Sequence, residues 1–283
     1  MRARSFLYVF VIYVGALGAA WAVAHSSSTL HPLWRVALAD LTATIVVFVG
    51  SRRANNSSIY DPYWSLIPIA IAAWFVADGL QLSLRVVLVL VAIATWGIRL
   101  TFNWARSWQG IPHEDWRYVD IRKKTGRLYW PASFLGIHLF PTTLTYLGSL
   151  PALAALTSTA AYSALDSCAA LVTFAAIALE AISDEQLRAF RTANPTGACD
   201  AGLWKYSRHP NYFGELLFWL GLWLFGLAAG APLWMAVGPV AMLALFLFAS
   251  IPMAEKHALA RRPEYAQRIE KVSKLFPWFP KRT

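Results

Sequence analysis

Four groups of residues in this 283-residue chain combine types and spacings that can do chemistry. The densest is Gly202-Leu203-Trp204-Lys205-Tyr206-Ser207-Arg208-His209-Pro210-Asn211-Tyr212-Phe213-Gly214-Glu215, which sets charge and imidazole against the start of an apolar run. Pro210 suits the first position of a helix, whose free N–H groups and dipole can receive an anion. Glu215 lies one turn after Asn211, on the same face. In the second group, Glu180, Asp184, Arg188 and Arg191 fall within one narrow helical stripe and address a common partner. Thr95, Arg99, Asn103 and Arg106 repeat that spacing, with Arg99 well inside an apolar run and facing a polar cavity. The fourth is Asp61-Pro62-Tyr63-Trp64-Ser65, where a carboxyl among Tyr60, Tyr63 and Trp64 suits a proton donor. A bland reading stands beside each: an ion-paired helix face, a snorkelling Arg, an N-cap acid or a headgroup anchor.

The elements that must carry these groups are membrane helices. Hydrophobic residues make up 58% of the chain and charged residues 14%, with 14 Trp, a balance foreign to soluble domains. Apolar runs of about 20 residues cross a bilayer as helices. They are read at 6–24, 34–50, 63–80, 83–104, 132–150, 163–182, 212–229 and 232–251. The expected fold is an all-α polytopic bundle of seven to eight transmembrane helices, with a cofactor cavity on the cytoplasmic side. Lys and Arg gather at alternate loops and at both ends, which puts the N- and C-termini in the cytoplasm. A bacterial inner membrane or the endoplasmic reticulum fits this topology. The longest non-apolar stretches, the loop 105–131 and the segment 184–211, are both read as cytoplasmic, so a soluble ligand approaches from that side.

Several function classes are set aside. The net charge of +10 is spread over short loops, which does not form a nucleic-acid footprint. The two cysteines, Cys168 and Cys199, have no metal-ligand or disulfide spacing, and no metal site is expected. Neither a G-x-G-x-x-G nor a P-loop motif occurs, so any nucleotide must bind between helices. A transporter or scaffold would place charge near the bilayer midplane, whereas these polar groups gather at the cytoplasmic ends. Near the C-terminus Glu255-Lys256-His257, Glu264-Tyr265 and the tail Lys274-Leu275-Phe276-Pro277-Trp278 form a basic aromatic segment able to cover a ligand.

The run from Gly202 to Glu215 resembles the C-terminal domain of membrane-embedded steroid 5α-reductases. Ser183-Asp184 with Leu187-Arg188 and Arg191 resembles that family's cofactor-binding helix, and Asn211 and Glu215 fall on its Asn and Glu. The likeness extends from about residue 55 to the end, dividing the chain into N-terminal transmembrane helices at 1–54 and a catalytic domain at 55–283. It implies NADPH held from the cytoplasmic side, hydride transfer to the β-carbon of an enone and protonation at the α-carbon. Cofactor-binding roles then fall to Arg99, Asn103, Glu180, Asp184, Arg188, Arg191, Tyr206, Arg208, His209, Asn211, Tyr212, Glu215 and Glu255. Asp61, seven residues before Pro68, matches the substrate-binding Glu, with Tyr60 or Tyr63 as the second group on the carbonyl. The chain departs from the pattern at Trp96, where steroid-reducing members carry Tyr, and at Glu180, where they carry Asn. The implied substrate is a lipophilic enone or 3-oxo-Δ4-steroid drawn from membrane lipid, and the expected state is a monomer. The rival expectation is an S-adenosylmethionine-dependent membrane methyltransferase of the isoprenylcysteine or phospholipid type, which carries a similar Arg-His-Pro, Tyr and later Glu.

Overall fold

The computed structural model describes residues 1–281. Among them all regular structure is helical. Eight helical segments are long and apolar enough to cross a membrane, and the protein is an all-α, multi-pass membrane bundle.

Helix boundaries follow local chemistry. Helices α1 (Arg2–Ser26) and α2 (Pro32–Arg53) flank a short turn, and Pro32 opens α2 where a missing N–H costs nothing. A 3₁₀ turn at Ser57–Tyr60, fully buried, leads to α3 (Tyr63–Ala77), followed by α4 (Leu84–Ser107). The segment expected as a loop at 105–131 contains a further helix, α5 (Trp116–Thr125). Its signal is Asp115, an N-cap whose carboxylate accepts the Arg117 backbone N–H at 2.9 Å. This helix is polar, so a reading based on apolar runs passes over it. A short α6 (Tyr129–Ser133) runs through a π-helical stretch, Phe134–Leu139, into α7 (Phe140–Thr157).

Helix α8 (Ala164–Ala193) is longer than the apolar run that announced it and takes in the whole Asp184 stripe, from Glu180 to Arg191. Helix α9 (Pro210–Ala228) starts at Pro210, as its sequence predicts. Then come α10 (Val237–Leu245), a π-helical stretch at Phe246–Ser250, α11 (Ile251–Arg261) and α12 (Tyr265–Lys271).

The chain forms two compact units. The first comprises 1–82 and 93–150, and the second 83–92 and 151–283. In the first, α4 crosses α3 at Gly97, where a Cβ would stand 2.3 Å from the Ser65 carbonyl oxygen. In the second, α8 and α9 pack through small residues: a Cβ on Gly221 would lie 2.1 Å from Thr173 Oγ1, and one on Gly214 2.9 Å from Glu180 Cβ. Small residues let backbones approach where lipid supplies no hydrophobic drive between helices.

The second unit also holds a closed ion pair. Arg85 and Asp166, 2% and 0% exposed, meet through Nε–Oδ1 at 2.6 Å, and the Arg85 guanidinium also donates to the carbonyls of Ala160, Ala161 and Ala228. Asp166 completes a capping box with Ser163 at the start of α8.

Candidate functional site

Each unit gathers its own group of the predicted residues. In the first unit, Asp61 follows the buried 3₁₀ turn and precedes Pro62, the N-cap of α3. Its Oδ1 accepts the Tyr118 hydroxyl at 2.5 Å. Tyr118 sits in the first turn of α5, a position that Asp115 fixes by capping the helix and by accepting Arg117 Nε at 2.8 Å. Burial pushes the Asp115 carboxyl up, but the bonds and charge of Arg117 outweigh it and hold the group below the ordinary range. Glu114 braces the same corner: its Oε1 accepts the Ser57 backbone N–H at 2.8 Å and the Tyr129 hydroxyl at 3.0 Å.

The two tyrosines expected beside Asp61 use their hydroxyls elsewhere. Tyr60 shares a 2.9 Å hydrogen bond with Thr142, and Tyr63 donates to Asp40 Oδ1 at 2.8 Å. The hydroxyl on Asp61 is that of Tyr118, and only the tertiary fold reveals it, because Tyr118 lies 57 residues further along the chain. Trp96 is fully buried and packs edge-on against Trp64, with ring centroids 5.7 Å apart. On the same helix Arg99 is half-buried, and Asn103 Oδ1 accepts Arg106 at 2.7 Å.

The second unit collects the Arg-His-Pro motif. Gly202 adopts φ +57°, and a Cβ there would collide with the Gln186 side chain. This lets the chain pass beneath Gln186, whose Oε1 accepts the Leu203 N–H at 2.8 Å. Tyr206 packs edge-on against Phe279, and its carbonyl accepts the Trp278 N–H at 2.9 Å. Arg208 is buried and largely consumed: Nε donates to Glu255 Oε1 at 2.6 Å, and Nη1 donates to the carbonyls of Ile269 and Val272 at 2.7 and 2.8 Å. His209 Nε2 lies 3.2 Å from the same Glu255 oxygen. The imidazole stacks on Tyr212, which stacks in turn on Phe246 from the π-helical stretch.

The α8 stripe divides by depth. Glu180 is buried beside Gly214, and Asp184 Oδ1 accepts Asn211 Nδ2 at 3.3 Å. Asn211 Oδ1 is buried without a hydrogen-bond partner among the described residues. Glu215 Oε1 accepts the Trp219 indole N–H at 2.8 Å. Arg188 pairs with Glu185 on the exposed side of the helix. Arg191 is exposed and lies within electrostatic reach of Arg262, Cys199 and Tyr212.

Two cations that the motif reading passed over complete this rim. Arg262 donates to the Pro195 carbonyl at 2.9 Å, and Arg268 donates to that of Trp204. Burial lowers the Arg268 pKa and raises the Cys199 thiol. Tyr265 is pushed up to about 12, first by burial and then by Glu255, so it is a neutral phenol at physiological pH. Clustered guanidinium groups with residual donors suit phosphate, and a buried amide oxygen without a partner suits a donor on a ligand.

Comparison with known proteins gives a family without an assigned activity. The chain is 27% identical to an uncharacterized protein of Schizosaccharomyces pombe over 252 residues, spanning 79% of this chain and 73% of that protein. No solved structure matches. Residues 47–272 match the family described as proteins of unknown function DUF1295, and the chain belongs to that family.

Proposed function

We propose that this protein is a membrane-embedded, NADPH-dependent reductase of a carbon–carbon double bond conjugated to a ketone in a lipophilic substrate. The observation that carries the reading is the Tyr118 hydroxyl held at 2.5 Å on the Asp61 carboxyl. Tyr118 fixes Oδ1, and Oδ2 is assigned to carry the proton that polarises the substrate carbonyl. A donor set in advance against the oxygen that gains charge costs no reorganisation during reaction.

The residues of the second unit fit a dinucleotide phosphate. Arg191 and Arg262 supply fork-shaped donors, and Asn211 Oδ1 supplies an acceptor. Arg208 and His209 build the floor through Glu255 and do not serve as free phosphate ligands. When bound, NADPH supplies the hydride that reaches the β-carbon of the enone, while the α-carbon takes a proton. Both termini are assigned to the cytoplasm, in a bacterial inner membrane or the endoplasmic reticulum.

One observation favours a second reading. With Arg208 closed on Glu255, the Arg-His-Pro motif needs no phosphate, as in a methyltransferase that binds S-adenosylmethionine. Calorimetric titration of the purified protein separates the two. NADPH is expected to bind, and Arg191→Ala to weaken it by about tenfold or more, the size of a charged hydrogen bond. Binding of S-adenosylmethionine with no response to NADPH would overturn the reductase reading.

A further inference from the structure

We infer that the first unit contains a separate binding site for a neutral lipophilic alcohol, formed by α1, α2 and α3 around Asp40. A cavity of about 540 Å³ lies among these helices, a size typical of small-molecule pockets. Its wall is made of alanines, aliphatic residues, Gly18, Trp21 and Trp74, and Asp40 is its only ionisable residue. Leu17 and Trp21 on that wall are exposed, so the cavity opens to the surface of the bundle.

Asp40 is 2% exposed, in the interior of α2. A carboxyl at such a depth is costly and usually functional. Its Oδ1 accepts the Tyr63 hydroxyl, and Tyr63 is held in turn within a buried ladder that runs through Thr44 and Thr142 to Tyr60. The ladder stops at Asp40, whose Oδ2 is buried with no hydrogen-bond partner among the described residues. An unsatisfied buried oxygen costs about 1–3 kcal/mol. A ligand that supplies one polar group and is otherwise apolar removes that cost.

The chemistry of the wall narrows the ligand. A hydroxyl donates and accepts, so it pairs with Oδ2 whether or not the carboxyl carries a proton. An ammonium brings three donors to a wall with one acceptor. An alkane leaves Oδ2 as it is. A smaller polar cleft formed by His25, Arg35 and Asp78 shares Trp21, Trp74 and Ala77 with the cavity. Trp and Arg in such a cleft match the headgroup level, where the hydroxyl of an amphiphile resides.

The site is independent of the proposed reduction, and its test reads binding alone. A diazirine-bearing hexadecanol is photolysed with the full-length protein in detergent, and labelled peptides are mapped by mass. Labelling is expected in α1–α3 and is expected to be competed by hexadecanol at a concentration at least tenfold below that needed for hexadecane. Asp40→Leu should erase that preference, and Ala70→Trp, which fills the cavity, should abolish the labelling. Asp40→Asn, which keeps hydrogen-bonding capacity, should retain it and controls for folding. Equal competition by hexadecane, or labelling unchanged in Ala70→Trp, would overturn the proposal.

Discussion

Asp166 and Asp61 both stand at the start of a membrane helix, yet the fold treats them in opposite ways. Asp166 receives Arg85 at 2.6 and 2.9 Å and the Ser163 N–H and hydroxyl at 2.8 and 3.1 Å, so its acceptor capacity is spent. Asp61 receives the Tyr118 phenol, with Arg117 acting only through its field. A carboxylate closed by a guanidinium and a capping box is committed to structure. One steadied by a single neutral donor keeps its second oxygen available, as the proposed reduction requires.

The sharpest way to break this comparison is to unbalance the closed pair. Arg85→Met leaves Asp166 buried without its counter-charge, at an expected cost of about 3–5 kcal/mol. A large fall in Tm in detergent would show it, and Arg85→Leu with Asp166→Leu should recover most of the loss. Glu255→Gln tests the other closed cluster. Loss of the charge that Arg208 and His209 share is expected to destabilise by about 1.5–3 kcal/mol, again read from Tm.

Tyr118→Phe acts on the open carboxyl and should leave Tm nearly unchanged. Removing one neutral hydrogen bond, about 1 kcal/mol, should slow turnover roughly five- to tenfold and displace the pH profile of kcat. A change in KM alone would place Tyr118 in substrate binding. An effect of similar size, on stability, belongs to Asp115, whose removal to Ala should cost about 1 kcal/mol as an N-cap. Its carboxyl is more acidic folded than unfolded, so its contribution is present above the ordinary Asp value of about 3.9 and is lost as pH falls below it. Stability of wild type and Asp115→Ala should therefore converge on acidification, which chemical denaturation across that range would measure.

The spans were legible because about 20 apolar residues in a row have few other uses. So was the start of α9, because Pro210 follows a cluster of polar residues. Helix α5 was not, since its ten residues carry four cations and no apolar stripe, and the cap at Asp115 was its only local mark. Tyr118 was lost with it. The Arg85–Asp166 pair joins positions 81 residues apart, and two lone charges at span ends carry no signal that they meet. Glu255 could be named as a site residue from sequence, but its attachment to Arg208 and His209 required the fold. Local chemistry marks the ends of helices, while the partner of a buried charge is a property of the packing.

In the proposed reaction Asp61 donates to the substrate carbonyl. The most direct test of that step is NADPH oxidation by the purified protein with a 3-oxo-Δ4-steroid and other lipophilic enones, wild type against Asp61→Asn. Enone-dependent oxidation is expected in wild type and should fall by about 10²–10⁴-fold in the variant, the usual range for loss of a general acid, with NADPH affinity within twofold of wild type. Equal turnover by Asp61→Asn would contradict it.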